Sequence, residues 1–164
     1  MNLNEPLLAE LDHEMANTRK ALERVDESKF GWQPHEKSMT YGRLASHIAE
    51  IPGWMSAILD MDLFDMDSSQ AALDAKTTAE LLKTFDEGVR AGRAGLKAAT
   101  NEKLFTMWEM RMDGNPFIKM PRIAVLRTWV FSHIIHHRGQ LSVYLRMNGA
   151  PVPALYGPSA DEEG

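Results

Sequence analysis

Near the start of the chain, Leu8, Leu11, Met15, Thr18, Leu22 and Val25 recur at alternating steps of three and four. That spacing lays one apolar stripe along a helix and predicts a first helix from about Glu5 to Val25. Gly31 and Pro34 in "DESKFGWQPHEKS" break the pattern. A second helix is predicted to begin near Thr40, with Leu44, His47, Ile48, Ile51, Met55 and Ile58 on a shared face. Pro52 lacks a backbone donor and is expected to kink this helix or end its regular part. The aspartates of "DMDLFDMDSSQ" lack the glycine and closing glutamate of an EF-hand, so the segment reads as a solvated connector. Thr77 and Glu80 form a T-x-x-E capping box opening a third helix. Leu81, Leu82, Phe85, Val89 and Leu96 carry it to about Thr100. Gly88, Gly92 and Gly95 weaken its propensity or admit a close neighbour.

The period then changes. Trp108, Met110 and Met112 alternate with Glu109, Arg111 and Asp113, and Gly114-Asn115 follows. This predicts a short β-hairpin before the last helix, with an irregular loop as the alternative because Pro116 limits pairing. Pro121 suits the first turn of a fourth helix running to about Asn148, with Gly149 as its stop. Residues 150–164, with Pro151, Pro153 and Pro158, read as an extended tail. The expected fold is all-α, an antiparallel four-helix bundle, and residues 1–164 are expected to form one domain.

Net charge adjusts this picture little. At −5, with a pI of about 5.7, the chain is a poor partner for a nucleic-acid backbone. No apolar run is long enough to cross a bilayer, and the start has no basic and apolar signal segment. The absence of cysteine removes disulfides and thiolate ligands, and fits a cytoplasmic location. A metal ion here would have to be held by His, Asp or Glu.

The fourth helix supplies the candidates. Leu126, Val130, His133, His137, Gln140, Tyr144 and Met147 follow alternating four- and three-residue steps, the expected inward seam. His133 and His137, at i and i+4, point to one side and can share an ion. His47 lies on the seam of the second helix, so a bundle could bring it opposite them. Unpaired burial of each imidazole would cost roughly 1–3 kcal/mol. A metal site is the leading reading and a polar core network the alternative. His136 aligns with Trp129 and Ser132 on a neighbouring face. Gln140 could bond a ligand or satisfy a core partner. Glu50 is a candidate supporting group or base, though solvation on the helix surface is its default. Tyr144 and Trp54 could line a pocket or merely pack. Arg138 is expected in a surface salt bridge, and His13 and His35 on the surface or in loops.

"LASHIAEIPGWM" followed far downstream by "SHIIHHRGQLSVYLRMNGAPVPALYGPSADE" resembles the DinB/YfiT family of bacterial proteins. The resemblance extends over nearly the whole chain. It implies a helical bundle with a crossover order of helices, often dimeric, and a divalent metal on three histidines. Carried residue by residue, those ligands fall on His47, His133 and His137. Zinc or nickel is expected ahead of iron or manganese. The resemblance also implies a small-molecule substrate and, in some relatives, a low-molecular-weight thiol. A thiol-dependent S-transferase is the first expectation. A metal-dependent hydrolase of small amides or esters, or a non-catalytic stress-response or ligand-binding protein, are the alternatives. A homodimer is expected, from the resemblance and from the glycine-spaced third helix. Gln140, Tyr144 and Glu50 are the candidate catalytic residues. There is no H-E-x-x-H of a zinc protease and no paired E-x-x-H of a diiron protein.

Overall fold

The computed structural model describes residues 2–69 and 71–163. Helix α1 spans Asn4–Glu23, α2 Tyr41–Glu50, α3 Trp54–Asp60 and α4 Thr78–Ala98. The short α5 (Asn101–Phe105) leads into strands β2 (Met107–Met112) and β3 (Asn115–Pro121), preceded in the chain by β1 (Leu63–Met66). A short α6 (Arg122–Val125), a π-helical stretch Leu126–Ser132 and α7 (His133–Met147) form the last long helical element.

Local chemistry explains the boundaries. Thr40 caps α2, its hydroxyl accepting from the Arg43 amide. Thr77 caps α4 through the Glu80 amide, while the Glu80 carboxylate reaches back to the amide of Lys76. The kink expected at Pro52 is a 3-10 turn, Ile51–Gly53, separating α2 from α3. The hairpin turns at Asp113 and Gly114, both at positive φ, the arrangement that matches the right-handed twist of paired strands.

The expectation of an all-α antiparallel bundle is corrected in two respects. First, β1, β2 and β3 form a mixed three-stranded sheet, with β1 parallel and β3 antiparallel to β2. The segment read as a solvated connector thus supplies a strand. Asp65 accepts from the Gly114 amide, and Asp62 pairs with the fully buried Arg122. Second, the helices are not all antiparallel to their neighbours. Contacts Asn4–Lys97, Asp12–Arg93 and Arg19–Asp86 run α1 against α4 in opposite directions. Glu10–Arg127 and Glu14–Arg138 run α1 and the last helix in the same direction. His47–His133 and Met39–Tyr144 make α2 and α7 antiparallel. Gly53 beside Gly88, Met55 beside Gly92 and Leu59 beside Gly95 make α3 and α4 parallel. The directions are therefore up, down, down, up, and the parallel neighbours are joined by long connections rather than tight turns.

The α4 glycines make this packing close. A methyl group on Gly88 would stand 2.7 Å from the Gly53 amide nitrogen, and one on Gly92 2.8 Å from Met55 Sδ. The glycine face is occupied within the chain. Gly92 is buried there and Gly88 and Gly95 are half-buried, which weakens one of the two reasons for expecting a dimer.

The buried stripe of the last helix also departs from the expected seam. Ile134, His137, Arg138, Leu141 and Leu145 are buried, whereas Gln140 is exposed and Met147 is 57% exposed. The π-helical stretch adds residues per turn and shifts the phase of everything after it. Arg138, expected on the surface, is 1% exposed. It donates to the Glu14 carboxylate at 2.7 Å, the Glu14 carbonyl and the Thr18 hydroxyl, and also meets the Tyr156 hydroxyl. Through Tyr156, and through Asp161 on Arg146, the extended tail is pinned to the helices.

Candidate metal centre

His47 projects from the last turn of α2, and His133 and His137 from the first two turns of α7. Antiparallel packing of these helices brings the three imidazoles together. Nε2 of His133 lies 3.2 Å from Nε2 of His47 and 2.8 Å from Nε2 of His137. Ligand atoms from all three residues lie within 4.8 Å of one another. The His47 side chain is 13% exposed and His137 is 8% exposed.

Each ring is held from behind. His47 Nδ1 donates to Glu50 Oε1 at 2.8 Å, and His137 Nδ1 donates to Gln140 Oε1 at 2.7 Å. His133 hydrogen-bonds the Trp129 backbone. Because the carboxylate and the amide oxygen only accept, His47 and His137 donate from Nδ1, which directs both Nε2 atoms into the cluster. Burial, together with neighbouring His137 and His47, lowers His133 to about 4. Burial likewise lowers His137, opposed by its bond to Gln140. Both rings are thus biased to the neutral form that binds metal.

The arrangement passes a simple chemical test. Converging lone pairs repel unless a proton or cation lies between them. A tetrahedral ion with bonds of about 2.0–2.1 Å would space nitrogen ligands about 3.3 Å apart, near the 3.2 Å between His47 and His133 and wider than the 2.8 Å between His133 and His137. Outward nitrogens tied to acceptors are the usual support of imidazole ligands. His47, His133 and His137 would hold the ion, and with three ligands its remaining position would stay open.

Glu50 is no solvated surface group. Its Oε1 also accepts from Arg43 and its Oε2 from the Leu73 amide, both at 3.2 Å. Burial raises its pKa, but hydrogen bonds from His47, Leu73 and Arg43 outweigh that and hold it below the usual value. Gln140 is tied to His137. Tyr144 is not brought to the cluster: its hydroxyl donates to the Met39 carbonyl and its ring meets Trp32 edge-on. Trp54 is brought there, its ring centroid 5.6 Å from that of His47 and 5.4 Å from that of His133. His136 and His35 are exposed, and His13 sits by Asn17 and Tyr156. Sequence reasoning missed Trp129 and Arg43 as neighbours of the cluster. Trp129 stands four residues before His133, a spacing that could have signalled it.

A helical fold with this cluster defines a class of three-histidine helical proteins. A family model described as DinB family matches residues 1–163, and the chain belongs to that family. It is 25% identical over 147 residues to "Uncharacterized protein YrdA" of Bacillus subtilis (strain 168), covering 88% of this chain and 83% of that protein. Among solved structures, a DinB-like protein from Bacillus cereus ATCC 10987 superposes with a TM-score of 0.74 at 24% identity, covering 94% of this chain and 98% of that one. The mycothiol-dependent maleylpyruvate isomerase superposes with a TM-score of 0.54 at 14% identity, covering 92% of this chain and 64% of that one. These likenesses describe the fold. No helix among the described residues is long and apolar enough to cross a membrane.

Proposed function

We propose that this protein is a divalent-metal-dependent enzyme that joins a low-molecular-weight thiol to a small electrophile. The observation that carries the reading is the set of three convergent Nε2 atoms, with His47 and His137 steadied through Nδ1. A divalent ion held there would favour the thiolate form of a bound thiol. The chain's own part is to bias His133 and His137 to the neutral form, fix the direction of the rings and flank the site with half-buried Trp54 and Trp129. In the reaction, the thiolate's electron pair forms the carbon–sulfur bond, the thiol proton goes to solvent and the leaving group departs with its pair. The thiol requirement is drawn from the fold's likeness to an isomerase whose name specifies mycothiol.

A free carboxylate base would assist the hydrolase alternative, in which the ion would supply a bound hydroxide to a small amide or ester. Glu50 is instead committed to His47, Arg43 and the Leu73 amide, so it serves as a positioning residue. The deciding experiment compares turnover of small electrophiles by metal-loaded protein with and without added thiol. Turnover that requires both metal and thiol is expected. Metal-dependent turnover of amides or esters without thiol would replace this reading with hydrolysis. Ligand binding without any turnover would replace it with a binding role.

A further inference from the structure

Two backbone irregularities lie beside the histidine cluster, and both carry aromatic side chains towards one place. The first is in the hairpin. Met110 pairs with Ile118 but Arg111 pairs with Pro116, so Phe117 is the extra, unpaired residue of a bulge. Bulges re-aim side chains and are frequent next to active sites. Phe117 is 53% exposed, yet its ring centroid is 5.8 Å from that of Trp129, meeting it edge-on. The second is the π-helical stretch Leu126–Ser132, which carries Trp129. The Trp129 ring lies 6.2 Å from His133 and nearly perpendicular to it. Such π-helical insertions recur at functional sites. From α3, Trp54 contacts the same imidazole. On β2, half-buried Glu109 pairs with Arg111 and Lys119.

An exposed phenylalanine in a bulge, backed by a half-buried tryptophan, is not explained by core packing. Phe117 contributes little buried area where it is, and an ordinary strand register would have given that position a ladder partner. The two rings extend the walls of the histidine site outward on the hairpin side. Their faces suit a flat ligand, because stacked or edge-on ring pairs gain about 0.5–1.5 kcal/mol beyond area burial.

We propose that Trp54, Trp129 and Phe117 form an aromatic wall that selects substrates in which a flat, π-rich group adjoins the reacting atom. The inference rests on the three-histidine metal reading, but not on turnover. Its test is therefore a binding measurement on zinc-loaded protein by titration calorimetry, using imidazole and 4-phenylimidazole as probes. Both offer the same nitrogen to the ion, and they differ by one phenyl ring. Wild-type protein is expected to bind 4-phenylimidazole about tenfold more tightly than imidazole. Phe117→Ser should reduce that preference at least threefold and leave imidazole affinity unchanged, and Trp129→Leu should reduce the preference at least threefold. Because Phe117 is largely exposed, its replacement leaves the core intact and keeps the test decisive if Trp129→Leu folds poorly. Equal affinity for the two probes in wild-type protein would overturn the wall while leaving the metal site standing. So would a phenyl preference that survives Phe117→Ser and Trp129→Leu. Absence of thiol-dependent turnover would overturn the proposed reaction and leave this result untouched.

Discussion

The ring of His136 lies 4.9 Å from that of His137, but it is His137 that turns Nε2 towards His133 and His47. Two adjacent residues on a helix point about 100° apart. Here that angle separates a buried imidazole from an exposed one. Replacing His47, His133 or His137 with Ala should weaken metal binding by orders of magnitude, whereas His136→Ala should leave the content near one ion per chain. Elemental analysis of protein purified without a nickel column measures this. A site emptied by His136→Ala but still full in His137→Ala would contradict the orientation of α7.

The carboxylate of Glu50 fixes the His47 tautomer while touching no ion itself. Glu50→Gln should retain the ligand set but weaken metal affinity about 10–100-fold, as loss of a supporting partner does. Competition against a chromogenic chelator gives the affinity directly. Unaltered competition would mean that His47 needs no support.

Some of this was legible in the sequence and some was not. The i, i+4 pair on the last helix and His47 on the second could be placed on facing elements from spacing alone. A constant period places Gln140 and Met147 on the buried seam, but they are exposed, because that period does not encode the π-helical stretch before α7. Arg138 looked like a surface residue because its partner Glu14 lies 124 positions away, beyond any local pattern. The strand Leu63–Met66 was hidden for a related reason: it is short, rich in aspartate and stabilised by pairing with distant β2. The directions of the helices depend on crossover connections, which periodicity does not encode.

Packing of α4 gives a prediction in which one substitution type has two signs. Alanine in place of glycine in a helix gains about 1 kcal/mol in propensity. At Gly139 nothing lies within 4 Å of the added methyl, so Gly139→Ala should stabilise the protein by up to that amount. At Gly88 the methyl meets backbone 2.7 Å away, and overpacking of this kind costs about 1–3 kcal/mol. Gly88→Ala should be net destabilising. Urea titrations of both variants check the opposite signs, and matching shifts would show that α3 and α4 can separate without cost.

Tyr41 makes the alkaline limit of stability measurable. It is 0% exposed, and its hydroxyl faces the Asp26 backbone without a hydrogen-bond partner of ordinary geometry. Burial pushes its pKa up to about 12, against 10.0 ordinarily. The folded state therefore resists losing this proton more than the unfolded state does. Its share of stability is intact below pH 10 and is lost between pH 10 and 12, on the order of 2–3 kcal/mol. Tyr41→Phe should remove that part of the alkaline decline and cost little at neutral pH. Denaturant midpoints across pH 8–12 for the two proteins would expose the difference, and parallel curves would refute it.

The contact between His47 and His133 spans 86 positions of the chain. At synthesis rates of about 5–20 residues per second, the second ligand follows the first by on the order of ten seconds. Until then α2 has emerged from the ribosome with a lone imidazole and no helix opposite it. A nascent chain at that stage can grip an ion no better than any single surface histidine. Loading of the proposed site would thus be deferred until α7 docks, and the ion acquired would reflect what is available around the finished protein rather than what the growing chain first meets.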